Sequence, residues 1–149
     1  MNNNMIVTVR EFVTALMYSK HSNPKYRSTD SFDYKTMNYL DYGYHLGWLT
    51  DLDINNADTP LLRKDTARII HEFLRLELQV PDIDDVSSAN KLRDLYDCRV
   101  CAKHVMQVYA RGIMDGFHIT DTLYIFGMNE TLTISEMHTI ISRTFEAIG

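Results

Sequence analysis

The same four-residue syntax stands near both ends of this chain: Thr8-Val9-Arg10-Glu11 and Thr133-Ile134-Ser135-Glu136. In each, the threonine hydroxyl is placed to accept from the amide three residues on, while the glutamate reaches back to the threonine N–H, a reciprocal cap that opens an α-helix. An apolar stripe follows both: Val9, Phe12, Val13 and Leu16 after the first, Met137, Ile140, Ile141 and Ile148 after the second. Steps of three and four put such side chains on one helical face that has to be buried. The first helix is expected from Thr8 to about Ser19.

Three more helices are expected between these two. After a polar loop containing Pro24, Asp30 or Ser31 is placed to cap a helix over about Phe32 to Leu46, with Met37, Leu40 and Tyr44 on its inner face and Gly47 as its left-handed stop. Asp51 to Pro60 has a turn-forming composition; helical spacing returns at Ala67, Ile70 and Leu74 and closes by Pro81. Ser87 or Ser88 then caps a long helix of about 24 residues that ends at Gly112. In the loop from Asp115 to Leu132, the run Thr122 to Phe126 reads as a short extended segment, by itself too little for a sheet.

The helices fall into a repeat. Gly47-Trp48-Leu49-Thr50-Asp51 and Gly112-Ile113-Met114-Asp115-Gly116 each end a helix and begin a loop that leads to another, and Ile69-Ile70 matches Ile140-Ile141. Copies over about 31–80 and 83–149, with a half copy over about 5–21 that lacks its first helix, make one domain in which each unit covers its neighbour's apolar face. The expected fold class is all-α, with repeated helix–loop–helix units packed as a compact pseudo-threefold helical domain. The open face of the half copy calls for a cover, either a second chain in a homo-oligomer or the segment Lys25 to Phe32.

Composition excludes several classes of function. A net charge of −5 disfavours nucleic acid, whose backbone is held by clustered Lys and Arg. No apolar run approaches the roughly 20 residues of a membrane-spanning helix. The segment Met1 to Val7 has no basic patch followed by an apolar stretch, so the expectation is either a cytosolic protein starting at Met1 or a piece of a longer surface protein.

The repeat resembles the S-layer homology repeats of bacterial surface proteins. The best-matching stretch runs from Asp84-Asp85-Val86 through Phe145: an acidic link, then Cys101-Ala102-Lys103-His104-Val105, where the family often has Trp-Ala and an apolar position. Ala110-Arg111-Gly112-Ile113-Met114-Asp115-Gly116 looks like the family's Gly-Ile…Gly turn, and Phe126 through Glu136 like its Phe-x-Pro…Leu-Thr-Arg-x-Glu run. The resemblance implies a three-pronged helical pseudo-trimer and a non-catalytic role, attachment to anionic, pyruvylated cell-wall polysaccharide in grooves between the prongs. The alternative is a cytosolic module for protein–protein interaction on the same scaffold. The family's Thr-Arg-Ala-Glu tetrad appears as Leu62-Arg63-Lys64-Asp65, as Thr8-Val9-Arg10-Glu11 with the arginine one place late, and as Thr133-Ile134-Ser135-Glu136 with no basic residue.

The candidate ligand-binding residues follow from this. Arg63 and Lys64 in a helix's first turn suit an anion, and cations there work against the helix dipole, which points to another use. Arg10 is the displaced counterpart, while Glu11, Asp65 and Glu136 read first as helix caps. Trp48 suits either a sugar ring or the core, and its apolar counterpart Ile113 favours the core. Cys98, Cys101 and His104 rotate around one helix and so form no zinc set, and a cysteine pair inside a helix reads as two small hydrophobes. The other histidines form no metal or triad spacing; no cofactor and no catalytic residue is expected.

Overall fold

A computed structural model describes residues 4–26 and 38–148. Helix α1 (Val9–Ser22) opens with the Thr8–Glu11 box, the Glu11 N–H donating to Thr8 Oγ1 at 3.2 Å and the Thr8 N–H to Glu11 Oε1 at 2.9 Å. Its stripe of Val9, Phe12, Val13, Leu16 and Met17 is buried. Helix α2 (Tyr39–Leu46) is capped by Asn38, whose Oδ1 accepts from the Asp41 N–H; the expected caps Asp30 and Ser31 lie outside the described residues. Gly47 ends α2 at φ 92°, and the N–H groups of Gly47, Trp48 and Leu49 all turn back to the Gly43 carbonyl. A short helix, α3 (Asp51–Asn55), occupies the stretch expected as a turn-rich loop, because Thr50 and Asp53 cap each other as a threonine and a glutamate would.

Helix α4 (Arg63–Glu72) begins at Leu62, which has no capping side chain. Its first amides go instead to a distant loop, Arg63 N–H to Glu130 O at 2.8 Å and Lys64 N–H to Met128 O at 3.1 Å. The helix runs on into a wider, π-helical turn, Phe73–Glu77.

The expected long fourth helix is broken. Ser87–Lys91 forms a 3-10 turn, and only Arg99–Ala110 is α-helical, as α5. The reason is tertiary: the Arg93 N–H donates to Tyr124 O, and the Asp94 carboxylate accepts from the amides of Phe126 (2.7 Å), Gly127 (2.9 Å) and Met128 (3.4 Å). Three charge-assisted bonds outweigh the small propensity gain of continuing a helix. Gly112, at φ 77°, then repeats the α2 stop, with Ile113 and Met114 donating to Val108 O.

Strands β1 (Phe117–Thr120) and β2 (Leu123–Ile125) pair antiparallel, Phe117 with Ile125 and His118 with Tyr124. This corrects the all-α expectation: the chain is mostly helical but mixed, with a two-stranded sheet. A hairpin is marginal alone. Here it is supported from outside its own ladder, by the Arg93 bond to Tyr124 O and by the Tyr109–Tyr124 ring contact, which no periodicity within 122–126 reports. Helix α6 (Ile134–Glu146) opens with the Thr133–Glu136 box and buries Met137, Ile140, Ile141 and Thr144.

The segments leading into α1, α4 and α6 meet in the core. Single antiparallel bridges join Ile6 to Thr133, Thr8 to Pro60 and Leu62 to Thr131, so each segment touches the other two around the buried Val7, Leu61 and Leu132. On the far side of α1, Lys20 and Glu77 form an ion pair of 2.6 Å with side chains 0% and 1% exposed. Glu77 also accepts from Tyr42 OH (2.7 Å) and Trp48 Nε1 (2.9 Å), so one carboxylate ties α1, α2, the turn after α2 and the π turn. Glu77→Ala should therefore lower the unfolding free energy by about 3–5 kcal/mol, and Tyr42→Phe by about 1–2 kcal/mol. Urea unfolding followed by circular dichroism measures both; a Glu77→Ala loss below about 1 kcal/mol would show that the pair is replaceable by water.

Candidate functional site

Where the α4 start, the turn at Ile113–Phe117 and the first turns of α6 converge, they leave a groove of about 350 Å³. Arg63 forms its back wall. The side chain is buried, with Nε donating to Phe126 O at 2.9 Å, Nη2 donating to Asp115 O, and the guanidinium lying 4.8 Å from the Phe126 ring centroid. Burial pulls its pKa below the ordinary arginine value, and the charges of Glu136, Asp115, Asp94 and Glu130 oppose that shift. It is a fixed cation held by backbone carbonyls, and not a first-turn cation free to turn toward an anion.

The groove's rim carries the exchangeable groups. Arg143 Nη1 reaches Asp115 Oδ2 at 2.9 Å, the two side chains being 40% and 68% exposed. Ser135 and Thr139 add hydroxyls, and Glu136 splits its carboxylate, Oε1 closing the cap and Oε2 lying 3.9 Å from Arg63. A second groove, of about 560 Å³, lies between α1, α3 and α4. Its arginine, Arg68, is gripped by both oxygens of Asp53 (2.6 and 2.9 Å), with Asp65 at 3.5 Å; burial lowers its pKa, and the Asp53 bonds raise it past the ordinary value.

The remaining expected residues scatter. Glu11 is a cap; Asp65 is not, since Leu62 offers it no reciprocal hydroxyl, and it pairs with Arg68. Arg10 is exposed and paired with Asp58 at 2.8 Å, lining neither of these grooves. Lys64 is half-buried beside Arg63. Trp48 is 1% exposed with its indole N–H on Glu77, which rules it out as a sugar platform.

Two arrangements escaped the sequence reading. Cys98 and Cys101 are joined by a disulfide across the first turn of α5, because the helix starts at Arg99 and the pair does not lie in its middle. His71 of α4 and His104 of α5 meet through their Nδ1 atoms at 2.8 Å, His71 Nε2 lies 2.7 Å from Asp82 Oδ1, and Glu72 Oε1 lies 3.9 Å from His104 Nδ1. Ligand atoms of His71, Glu72 and His104 all fall within 4.8 Å of one another, the one such grouping among the described residues. The signal was there only as a pair of histidines on two inward-facing helical stripes.

Neither a protein-family model, nor a curated protein, nor a solved structure matches this chain. Among the described residues no helix is long and apolar enough to cross a membrane.

His104 gives the site a pH signature. Burial, then the charge of His71, pushes its pKa down to about 4, with Lys103 and Arg68 acting in the same direction and Glu72 opposing. An unfolded histidine titrates near 6.5, so below that pH the unfolded chain takes up a proton that folded His104 refuses. Stability from this group is complete above about pH 6.5 and is lost as pH falls toward 4, with a slope of at most about 1.4 kcal/mol per pH unit. Urea midpoints measured from pH 7 to pH 4.5 with a chelator present should fall more steeply for the wild type than for His104→Leu; parallel curves would contradict the assignment.

Proposed function

We propose that the chain is a non-catalytic binding module that holds an anionic cell-wall polysaccharide in the groove between α4, the 113–117 turn and α6. The observation that carries this reading is Arg143 at the groove rim, whose ion pair among the described residues is a solvent-exposed contact with Asp115. Such a pair is worth little, so a ligand carboxylate can take the place of Asp115 at small cost and gain a forked, charge-assisted contact. The Ser135 and Thr139 hydroxyls suit sugar hydroxyls, and the amino-terminal turn of α6 contributes the positive end of its dipole. Arg63 adds a fixed positive field from behind without needing to move.

The resemblance to S-layer homology repeats supports the same groove. Two of the stretches that carry it, Ala110 to Gly116 and Phe126 to Glu136, supply the groove's turn and the start of its helix. In the second groove both oxygens of Asp53 already occupy Arg68, and Asp51 and Asp65 add negative charge, so an anion is repelled there.

Co-sedimentation with purified sacculi tests the proposal. Wild-type protein should bind sacculi that keep their secondary polymer at least tenfold better than stripped sacculi. Arg143→Glu should abolish that preference, and Arg10→Ala, outside the groove, should leave it unchanged. Equal binding to intact and stripped sacculi would overturn the reading.

A further inference from the structure

We propose that His71, His104 and Glu72 form a binding site for a divalent transition-metal ion, zinc being the fitting example, in the α4–α5 interface. The two imidazole nitrogens stand 2.8 Å apart, both on buried side chains. Two bare lone pairs at that distance repel, as do two N–H groups, so one positive centre has to stand between them, either a proton or a metal. Asp82 decides which nitrogen is bare. Its Oδ1, 2.7 Å from His71 Nε2, accepts from that nitrogen, so in the neutral imidazole, the form that binds a metal, Nε2 carries the hydrogen and Nδ1 presents a lone pair to His104. A carboxylate on the far nitrogen of an imidazole is the arrangement that orients a metal-binding histidine and raises its basicity.

Glu72 completes the set in the same manner. Arg75 Nη2 donates to Glu72 Oε2 at 2.6 Å, which fixes the carboxylate and leaves Oε1 turned toward His104. Two neutral imidazoles and one carboxylate neutralise half of a divalent charge and match the donor types zinc accepts, with water filling the remaining position. Zinc–nitrogen bonds of 2.0–2.1 Å at tetrahedral angles set ligand atoms roughly 3.3 Å apart. The two nitrogens therefore open by about half an ångström, and Glu72 Oε1 closes by a similar amount on His104 and by up to roughly 1.5 Å on His71, a movement within reach of rotation about the Glu72 side-chain bonds. On entry the metal replaces the shared hydrogen, and the His104 proton moves from Nδ1 to Nε2.

Equilibrium dialysis of the full chain against zinc chloride, with bound metal counted by mass spectrometry, tests the site. One equivalent of zinc is expected in the wild type and in Cys98→Ser/Cys101→Ser, which removes the thiolates that reduction of the disulfide would expose. His104→Gln and Glu72→Gln should each weaken binding at least tenfold, and Asp82→Asn, a positioning change, by 10–100-fold. Cobalt should give visible d–d absorption in the wild type that His104→Gln lacks. Glu72 is part-exposed, so its glutamine variant keeps the test open should the histidine variant fail to fold. Absence of zinc from the wild type, or zinc retained undiminished by the folded Glu72→Gln protein, would overturn the proposal.

Discussion

A guanidinium taken out of water has to find acceptors, and Arg63 finds them in carbonyls that belong to two other parts of the chain, Asp115 and Phe126. That requirement organises one half of the molecule. The helix it heads has no capping side chain, so the amides of Arg63 and Lys64 are completed by Glu130 and Met128; Asp94 holds that loop by gathering the N–H groups of 126–128, and the Glu130 N–H donates to Gly127 O. The groove follows from these ties, because its back wall, its turn and the start of α6 all lie on the path that supplies the buried cation.

The other half is arranged around a buried anion. Glu77, delivered inward by the π turn at the end of α4, meets Lys20 from α1 and the hydrogen-bonding tips of Tyr42 and Trp48. Removing water from such a pair is expensive, and the two extra donors are what make the carboxylate tolerable there. Helix α4 and its π-turn extension thus join a buried cation at one end to a buried anion at the other, with His71 and Glu72 between them facing α5. The same hub explains why Trp48 is withheld from any ligand.

What could be read from sequence was the local chemistry. The Thr8 and Thr133 boxes and the Gly47 and Gly112 stops were legible because every partner lies within six residues. What could not be read was settled by partners far along the chain. Asp94 breaks the expected long helix for amides 32 to 34 residues away, Arg63 answers to carbonyls 63 and 52 residues away, and His71 meets His104 across 33 residues. The hairpin failed for a related reason, since its support comes from Arg93 and Tyr109 rather than from its own short strands. Of the candidate site, Arg63 and Glu136 were brought to one groove, while Arg10 and Trp48 were placed elsewhere by contacts that no spacing reports.

The proposed binding function turns on whether an anionic sugar occupies the α4–α6 groove. Titrating isotopically labelled protein with a pyruvylated cell-wall saccharide, and following backbone amides by nuclear magnetic resonance, should move Asp115, Gly116, Ser135, Glu136 and Thr139 in a saturable way. Shifts confined to the Asp51–Pro60 groove, or no saturable shift at all, would contradict it.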